Sequence, residues 1–222
     1  MRAAFNTWIA QTPLVRLAER LAAPLLDPAR RDRAVVGLLA AYVAVWTVYE
    51  LIAHANHDLH FDMSEAVVWS QHPALGYPKH PPMLAWTTGL WFAVFPRADW
   101  AFYLLAMLSA AVALLFIWRA TEGRLSDEKR VAALALATFI PFYNFLAFKY
   151  NANMVLIPFW AATGYFFLRS YETRGVGYAA LAGAAAAGAM LGKYWSVSLL
   201  AGLVIAALLA PQRKAYFRSA AP

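Results

Sequence analysis

All five histidines of this chain lie in one polar stretch, residues 54–82, where acidic side chains and a lysine accompany them. The stretch reads HANHDLHFDMSEAVVWSQHPALGYPKHPP, and long apolar runs flank it on both sides. A carboxylate such as Asp62 can take the proton of a substrate hydroxyl and so act as a general base. We therefore predict a catalytic pair, Asp62 and Glu65, at the end of a hydrophobic scaffold.

The same two carboxylates have a purely structural interpretation. If residues 63–70 form a helix, Asp62 occupies its N-cap and Glu65 its third position, which is the pattern of a capping box. The catalytic and the capping role are compatible, and the sequence leaves both open.

Basic side chains at the same end of the apolar runs predict an anion site. Four of them are expected to converge on a phosphate: Lys79, His80, Lys149 and Lys193. The two prolines after His80 restrict the backbone before them and fix the direction of the next helix. Asn151 and Asn153 are placed to bond a sugar or the lysine heads. Each lysine taken alone is equally well explained by snorkelling to the lipid headgroups.

The histidines also allow a metal hypothesis. His57, Asp58, His60 and Asp62 offer nitrogen and oxygen ligands of the kind that divalent ions take. Their spacing matches no strong signature, and clustered histidines in loops often simply face water. We therefore expect no cofactor, with a divalent metal as the less favoured alternative.

The composition excludes an ordinary water-soluble domain. Hydrophobic residues make up 62% of the chain and charged residues 14%, whereas soluble domains are roughly half apolar and a quarter charged. A net charge of +7 can indicate nucleic acid, but here the basic residues lie at the ends of apolar runs, as membrane topology signals do. No nucleic-acid partner is expected. The lack of cysteine excludes disulfides and thiolate metal sites.

The alternation of apolar runs and polar links predicts an all-α fold, a polytopic transmembrane helical bundle. A bilayer core requires about 20 apolar residues in a helix. We assign spans to residues 34–53, 100–118, 131–148, 154–168, 176–191 and 196–210. Residues 83–96 are too few and end in a proline, so they are predicted to form a short interfacial or re-entrant helix.

Two regions and one orientation follow from the charges. Residues 1–33 are predicted to be a basic leader at the cytoplasmic membrane face, limited to short helices by its prolines, and residues 34–222 are the transmembrane domain. With six spans, fifteen of the 19 lysines and arginines fall on one side. This asymmetry predicts a cytoplasmic N-terminus and an external loop at residues 54–82.

Several motifs resemble those of a known group. They are DMSEA at 62–66, WSQ at 69–71, LGY at 75–77, HPPMLAW at 80–86, NAN at 151–153 and LGKY at 191–194. The pattern resembles the family 39 type membrane glycosyltransferases of the GT-C fold. These are relatives of the dolichyl-phosphate-mannose protein mannosyltransferases and of bacterial lipid A and core sugar transferases. The resemblance runs from about residue 34 to the end of the chain.

The resemblance implies a function at the bacterial inner membrane. Such enzymes take a sugar from a polyprenyl-phosphate carrier and pass it, with inversion, to a lipid, glycan or protein acceptor on the external face. Asp62 would then be the base and Glu65 its support, while Lys79 and His80 would meet the phosphate as it leaves. Tyr77, together with Asn151 and Asn153, would contact the substrate.

Two departures from the family pattern keep an alternative open. Many members have adjacent Asp and Glu residues where this chain has Ser64-Glu65, and members are roughly twice as long. The chain therefore resembles an N-terminal portion, and it could be a truncated or non-catalytic membrane subunit of the same fold. A transporter or metal-handling protein is the weakest hypothesis, because Glu50 is almost the sole ionisable residue within the predicted spans.

Overall fold

The computed structural model describes residues 12–221, and in that range it is built from helices without strands. We number the α-helices in chain order as follows: α1 Pro13–Leu26, α2 Arg31–Ala53, α3 Phe61–Ser70, α4 Met83–Val94, α5 Asp99–Ala120, α6 Asp127–Thr138, α7 Ala152–Thr173, α8 Val176–Gly192, α9 Val197–Leu209 and α10 Arg213–Phe217. Short 3-10 turns lie at Pro141–Tyr143 and Tyr194–Ser196. The all-helical part of the prediction is confirmed within the described residues.

The long helices run in alternate directions between two ends of the molecule. At one end, α2 stops at Ala53, the polar residues 54–82 follow, and α7 begins at Ala152; we call this the histidine end. At the opposite end, the first residue of α2 pairs with the first residue of α6, through Arg31 and Asp127; we call this the arginine end. Successive long helices therefore run antiparallel and lie next to each other in the bundle.

Two helices of the described chain are long and apolar enough to cross a membrane, α2 with 23 residues and α5 with 22. Helix α4 has 12 residues, which rise only about 18 Å and cannot cross a hydrocarbon core of about 30 Å. The short helix predicted from residues 83–96 is thus present. The count of six spans stays a prediction.

The predicted span at residues 131–148 is wrong as a continuous helix. Helix α6 ends at Thr138, and a 3-10 turn with further turns follows from Pro141. Proline has no N–H group and disfavours a helical residue before it, which favours a helix end at this position, although α7 accommodates Pro158 in its interior. Hydropathy alone gave no sign of the break, since the residues after it are as apolar as those before it.

The non-helical connector at residues 139–151 satisfies its own backbone. The buried Asn144 side chain donates to the Thr138 carbonyl at 2.7 Å and accepts from the Phe145 N–H at 2.6 Å. Leu146 N–H donates to the Pro141 carbonyl at 2.9 Å. Irregular backbone within a hydrocarbon region must find such internal partners or be buried in protein.

Helix α2 guides this connector to the histidine end. The Tyr42 hydroxyl donates to the Tyr143 carbonyl, and the Trp46 ring meets the Phe145 ring edge-on at 4.9 Å. Directly after the last residue of α2, the His54 ring stacks on Phe148 at 4.3 Å. The connector therefore delivers Lys149, Tyr150 and Asn151 to a fixed place.

Close helix approaches hold the rest of the bundle. Helix α5 is the central element, and Ala106, Met107 and Ala110 on it are completely buried. A Cβ atom built on Gly188 of α8 would lie 2.4 Å from the Phe159 ring of α7. The small residue at position 188 therefore allows a close approach of α8 to α7 that a larger side chain would disturb.

The N-terminal leader was predicted to contain only short helices. Its residues 1–11 lie outside the described part of the chain, and the remainder forms the 14-residue α1, a turn and the first residues of α2. Pro13 stands in the first turn, where its missing N–H costs nothing, and Pro24 stands close to the end. The two prolines therefore lie in the first and last turns of α1 and do not divide it into shorter helices.

Candidate functional site

Helix α3 carries the predicted catalytic carboxylates, but it begins earlier than expected. Its N-cap is His60, whose Nδ1 accepts the Asp62 N–H at 3.2 Å. Asp62 is therefore the second helical residue, and the predicted capping box with Glu65 is wrong. Because His60 supplies the cap, the Asp62 carboxylate is left available for other partners.

That carboxylate is held from a distant part of the sequence. Asn151 Nδ2 donates to Asp62 Oδ2 at 2.9 Å. The Asn151 Oδ1 accepts from the N–H groups of Asn153 and Met154, at 2.9 and 3.3 Å, and so caps α7. The Asn151 side chain thus caps the N-terminus of α7 and also fixes the orientation of Asp62.

Glu65 and Lys79 form an ion pair across the polar stretch. The Lys79 Nζ lies 3.1 and 3.0 Å from the two Glu65 oxygens, and it also stands over the Phe61 ring at 4.8 Å. The Lys79 side chain is 49% exposed and that of Glu65 is 17% exposed. The lysine therefore has a defined position and keeps an open side toward solvent.

The second lysine is held by the second asparagine of the NAN motif. Lys193 follows the last residue of α8, and its Nζ donates to Asn153 Oδ1 at 2.8 Å. An ammonium group has three hydrogens, so two remain for a ligand. Lys149 differs, because its ammonium lies over the neighbouring Phe148 ring at 5.6 Å.

His80 lies within the electrostatic reach of this group. Burial lowers the pKa of His80 from its ordinary value, and the positive charges of Lys193 and Lys79 lower it further. Glu65 and Asp62 act in the opposite direction and do not compensate. His80 is therefore neutral at pH 7 and can offer a hydrogen bond rather than the charge that the sequence suggested.

The turn that carries Lys79 and His80 is fixed by Tyr77. Its ring stacks on Trp69 at 4.9 Å, and its hydroxyl lies 3.1 Å from the Trp69 carbonyl and 2.9 Å from that of His72. The same hydroxyl accepts the Ala74 N–H at 3.1 Å. These backbone contacts occupy the hydroxyl, so the part of Tyr77 open to a ligand is its ring.

A cleft of about 310 Å³ opens beside this turn. The lining residues are Gly76, Tyr77, Pro78, Lys79, His80, Pro81 and Tyr194. We did not single out Tyr194 from the sequence, although it directly follows Lys193 in the LGKY motif. Its ring is largely exposed, which suits a residue that covers a ligand.

Tyr150 is a second residue that the sequence did not reveal. It is completely buried between the helices, and its hydroxyl donates to Thr87 Oγ1 of α4 at 3.0 Å. This bond ties the connector to the short helix just before Asn151. Its position between two motif residues, Lys149 and Asn151, was the available signal.

The histidine cluster does not assemble as a metal site. Among residues 12–221, no three His, Asp or Glu side chains converge in a way that could hold an ion. His57 and Asp58 are exposed, while His60 serves α3 as its cap. His54 instead faces Glu50, with its Nδ1 3.0 Å from the Glu50 Oε2.

The assembled site joins a positioned carboxylate to cations with free hydrogens. Asp62 is fixed by an amide on one side and remains about one third exposed on the other. A carboxylate so placed can accept the proton of a hydroxyl. Lys79 and Lys193 can bind an anion by exchanging or extending their present contacts.

The comparisons with known proteins agree with this chemistry. A family model described as dolichyl-phosphate-mannose-protein mannosyltransferase matches residues 79–222. The match covers Lys79, His80, both asparagines and Lys193, and it begins after Asp62 and Glu65. No curated protein and no solved structure matches the chain. Because the matched region is more than half of the chain, this protein belongs to the dolichyl-phosphate-mannose-protein mannosyltransferase family, whose members are membrane glycosyltransferases.

Proposed function

We propose that this chain transfers a sugar from a polyprenyl-phosphate carrier to an acceptor hydroxyl on a lipid, glycan or protein. The observation that carries the proposal is the bond from Asn151 to Asp62 beside the two lysines. Asp62 shares α3 with Glu65, the partner of Lys79, and its own partner Asn151 is two residues from Asn153, the partner of Lys193. This arrangement supports a base and a leaving-phosphate site close to each other. Family membership supports the general activity.

The transfer is a single displacement. Asp62 takes the proton of the acceptor hydroxyl, the acceptor oxygen bonds to the anomeric carbon, and the bond from that carbon to the phosphate oxygen breaks. The carrier phosphate leaves with the electron pair of the broken bond. Attack opposite to the leaving group inverts the anomeric centre.

The charges of the site fit the leaving phosphate. Lys79 and Lys193 stabilise the negative charge that develops on it. The neutral His80 donates a hydrogen bond, and the Tyr77 and Tyr194 rings form the walls of the cleft. Glu65 holds Lys79 in position until the donor arrives. Lys149, at the start of the NAN segment, contributes charge from a greater distance.

The membrane arrangement in this proposal has six crossings. The connector at residues 139–151 completes the crossing that α6 begins, so that α2, α5, α6 with its connector, α7, α8 and α9 alternate between the two ends. The histidine end faces the exterior of a bacterial inner membrane and the N-terminus lies in the cytoplasm. The excess of arginine at the opposite end supports this orientation.

A donor-transfer assay tests the function. The protein in nanodiscs is given radiolabelled polyprenyl-phosphate hexoses and pentoses with a lipid acceptor extract, and both donor binding and product are measured. Asp62→Asn should lower transfer by about 10²–10⁴-fold while donor binding persists. The matched control is Asp58→Asn, which removes an exposed carboxylate of the same loop and should leave transfer intact.

The outcomes separate the competing functions. Equal transfer by the wild type and the Asp62→Asn variant would remove Asp62 from the role of base. Donor binding without transfer in the wild type would favour a non-catalytic membrane subunit. A protein that neither binds nor transfers any of these donors would contradict the proposal altogether.

The orientation has its own test, because a chain without cysteine can carry a single reporter thiol. Leu75 is 88% exposed at the histidine end and Leu125 is 40% exposed at the arginine end. A membrane-impermeant maleimide added to intact cells should label Leu75→Cys but not Leu125→Cys. The reverse pattern would place the site in the cytoplasm.

A further inference from the structure

Helix α1 presents an apolar surface that the rest of the described chain does not cover. Leu17 and Leu21 are 53% and 66% exposed, whereas Leu25, near the C-terminal end of the helix, packs into the core. The three leucines are four residues apart and so lie on the same side of the helix. Arg16 and Arg20, also one turn apart, lie beside this side. The helix thus has one apolar side, buried at Leu25 and open at Leu17 and Leu21, with a basic edge next to it.

The turn after α1 fixes this helix against the bundle. The Asp27 carbonyl accepts the N–H groups of Arg30 and Arg31 at 3.0 and 2.8 Å, and the Asp27 side chain accepts the Ala29 N–H at 2.9 Å. Helix α2 starts directly afterwards at Arg31. Its 23 residues rise about 35 Å, slightly more than a hydrocarbon core, so when α2 crosses a membrane its first residue, Arg31, is expected at headgroup depth. Helix α1 ends at Leu26, shortly before Arg31, so its C-terminal end is expected near the same depth.

The arginines of α1 differ from those that join helices at the arginine end. Arg31, Arg119, Arg124 and Arg130 each pair with an acidic side chain, whereas Arg33, Arg174, Arg213 and Arg218 have no such pair among the described residues. Among the described residues, neither Arg16 nor Arg20 has an acidic partner within ion-pair distance. Both border a shallow groove of about 330 Å³ that Pro13 and Leu17 complete. Two guanidinium groups that have no acidic partner within residues 12–221, beside an exposed leucine pair, complement an anionic headgroup.

We propose that α1 lies in the membrane surface and binds anionic phospholipid headgroups through Arg16 and Arg20, with Leu17 and Leu21 among the upper acyl chains. The guanidinium groups bond the phosphate oxygens, and their stems cover the apolar surface beside the leucines. This lipid site is at the opposite end from the carboxylates of α3 and does not depend on glycosyl transfer.

The proposal predicts a local enrichment of anionic lipid. One basic residue at a membrane surface attracts anionic lipid with about 1 kcal/mol, or roughly fivefold per arginine. The contact of Leu17 and Leu21 with acyl chains does not depend on headgroup charge, so any lipid can make it. The depth of α1 in the membrane and its preference for anionic headgroups can therefore be measured separately.

A quenching experiment measures both properties. The chain contains no cysteine, so Leu17→Cys carries a single bimane label. The labelled protein is placed in nanodiscs of equal parts phosphatidylglycerol and phosphatidylcholine, with a doxyl quencher on the upper acyl chain of one lipid or the other. We expect quenching by both, and several-fold stronger quenching when the doxyl group is on phosphatidylglycerol.

Control variants isolate the arginines. Ile52 is 73% exposed at the other end of α2, and a label at Ile52→Cys should be quenched equally by the two lipids. Arg16→Gln with Arg20→Gln should equalise quenching at position 17 without lowering its total, whereas lysine at both positions should keep the preference. Equal quenching of the wild-type label at position 17 would overturn the headgroup site, and absence of quenching by either lipid would overturn the membrane contact.

Discussion

The two ends of the bundle use charged side chains in different ways. At the arginine end, guanidinium groups join separate helices: Arg31 of α2 pairs with Asp127 of α6, and Arg119 of α5 with Asp32 of α2. Arg130 pairs with the same Asp127 from within α6. At the histidine end, lysines hold single partners and keep free hydrogens toward solvent. The first arrangement is suited to fastening helices, and the second to exchanging a protein partner for a ligand.

Side-chain chemistry explains the division. Arginine bonds carboxylates through a rigid planar fork and stacks on aromatic rings, as Arg130 does over Trp118 at 4.1 Å. Lysine is a compact charge on a flexible stem and can change partners without losing its charge. If this comparison is right, substitutions at the arginine end should reduce stability, and those at the histidine end should reduce donor binding or turnover.

The largest effect is expected from Asp127→Ala at the arginine end. Arg130 is only 3% exposed, and loss of Asp127 leaves its charge and that of Arg31 without their shared carboxylate. Removing one partner of a buried pair costs about 3 kcal/mol. We expect a loss of this size in the unfolding free energy, measured by titration with sodium dodecyl sulfate, and unchanged donor affinity per folded molecule.

Asp32→Ala is the matched control for that experiment. Its pair with Arg119 has side chains 60% and 37% exposed, and exposed pairs contribute about 0–1 kcal/mol. Similar destabilisation by both substitutions would mean that Asp127, held by the buried Arg130, does not fasten α6 to α2.

The next effect concerns the amide that joins Asp62 to α7. Asn151→Ser keeps an N-cap oxygen but cannot reach Asp62, whereas Asn151→Ala loses both contacts. Hydrogen bonds to charged groups are worth about 1.5–3 kcal/mol, so both variants should lower kcat by roughly ten- to a hundredfold. The alanine variant should additionally lose about 1 kcal/mol of stability through the missing cap. Full activity in the serine variant would show that Asp62 needs no orientation by Asn151.

A smaller effect, on donor affinity, is expected to distinguish Lys193 from Lys149. Lys193 lies close to His80 and Asn153, while Lys149 lies over Phe148. Lys193→Ala should raise the Kd of the polyprenyl-phosphate donor about tenfold, equal to the loss of about 1.4 kcal/mol, and Lys149→Ala should change it much less. Lys129→Ala at the arginine end serves as the control. A double variant with unaltered affinity would leave both lysines as headgroup anchors.

The sequence predicted most helices because apolar runs and prolines mark them directly. The short α4 is an example, since Pro96 closes a run that is too brief to cross a membrane. The connector after α6 was not predicted, because the apolar run continues through it and hides the break that Pro141 marks. The local bonding of Asn144, which satisfies the irregular backbone there, depends on the folded chain and could not be predicted from the sequence.

The site was predictable in its residue types but not in its pairings. The acidic, basic and amide residues were recognisable as a group by their place at one end of the apolar runs. Asn151 and Asp62 are 89 residues apart, so their contact follows from the packing of α7 beside α3. The choice of His60 as N-cap was equally hidden, because Asp62 is the better capping residue by intrinsic preference.

The smallest expected effect is a pH dependence that belongs to the histidine end alone. The pKa of His80 is lowered in the folded protein, chiefly by burial and then by Lys193. Below the ordinary pKa of about 6.5 the unfolded chain binds more protons than the native one. The free energy of unfolding should therefore fall as the pH drops below about 6.5 toward the pKa of the folded protein, and the full stability is present at pH values above about 6.5.

Unfolding titrations at about pH 7 and pH 5 test this dependence. The free energy of unfolding should decrease less for His80→Gln than for the wild type. Lys193→Ala should act in the same direction, because it removes a charge that opposes protonation of His80. An identical pH response in all three proteins would assign the dependence to the other histidines of the loop and place His80 outside the charged group.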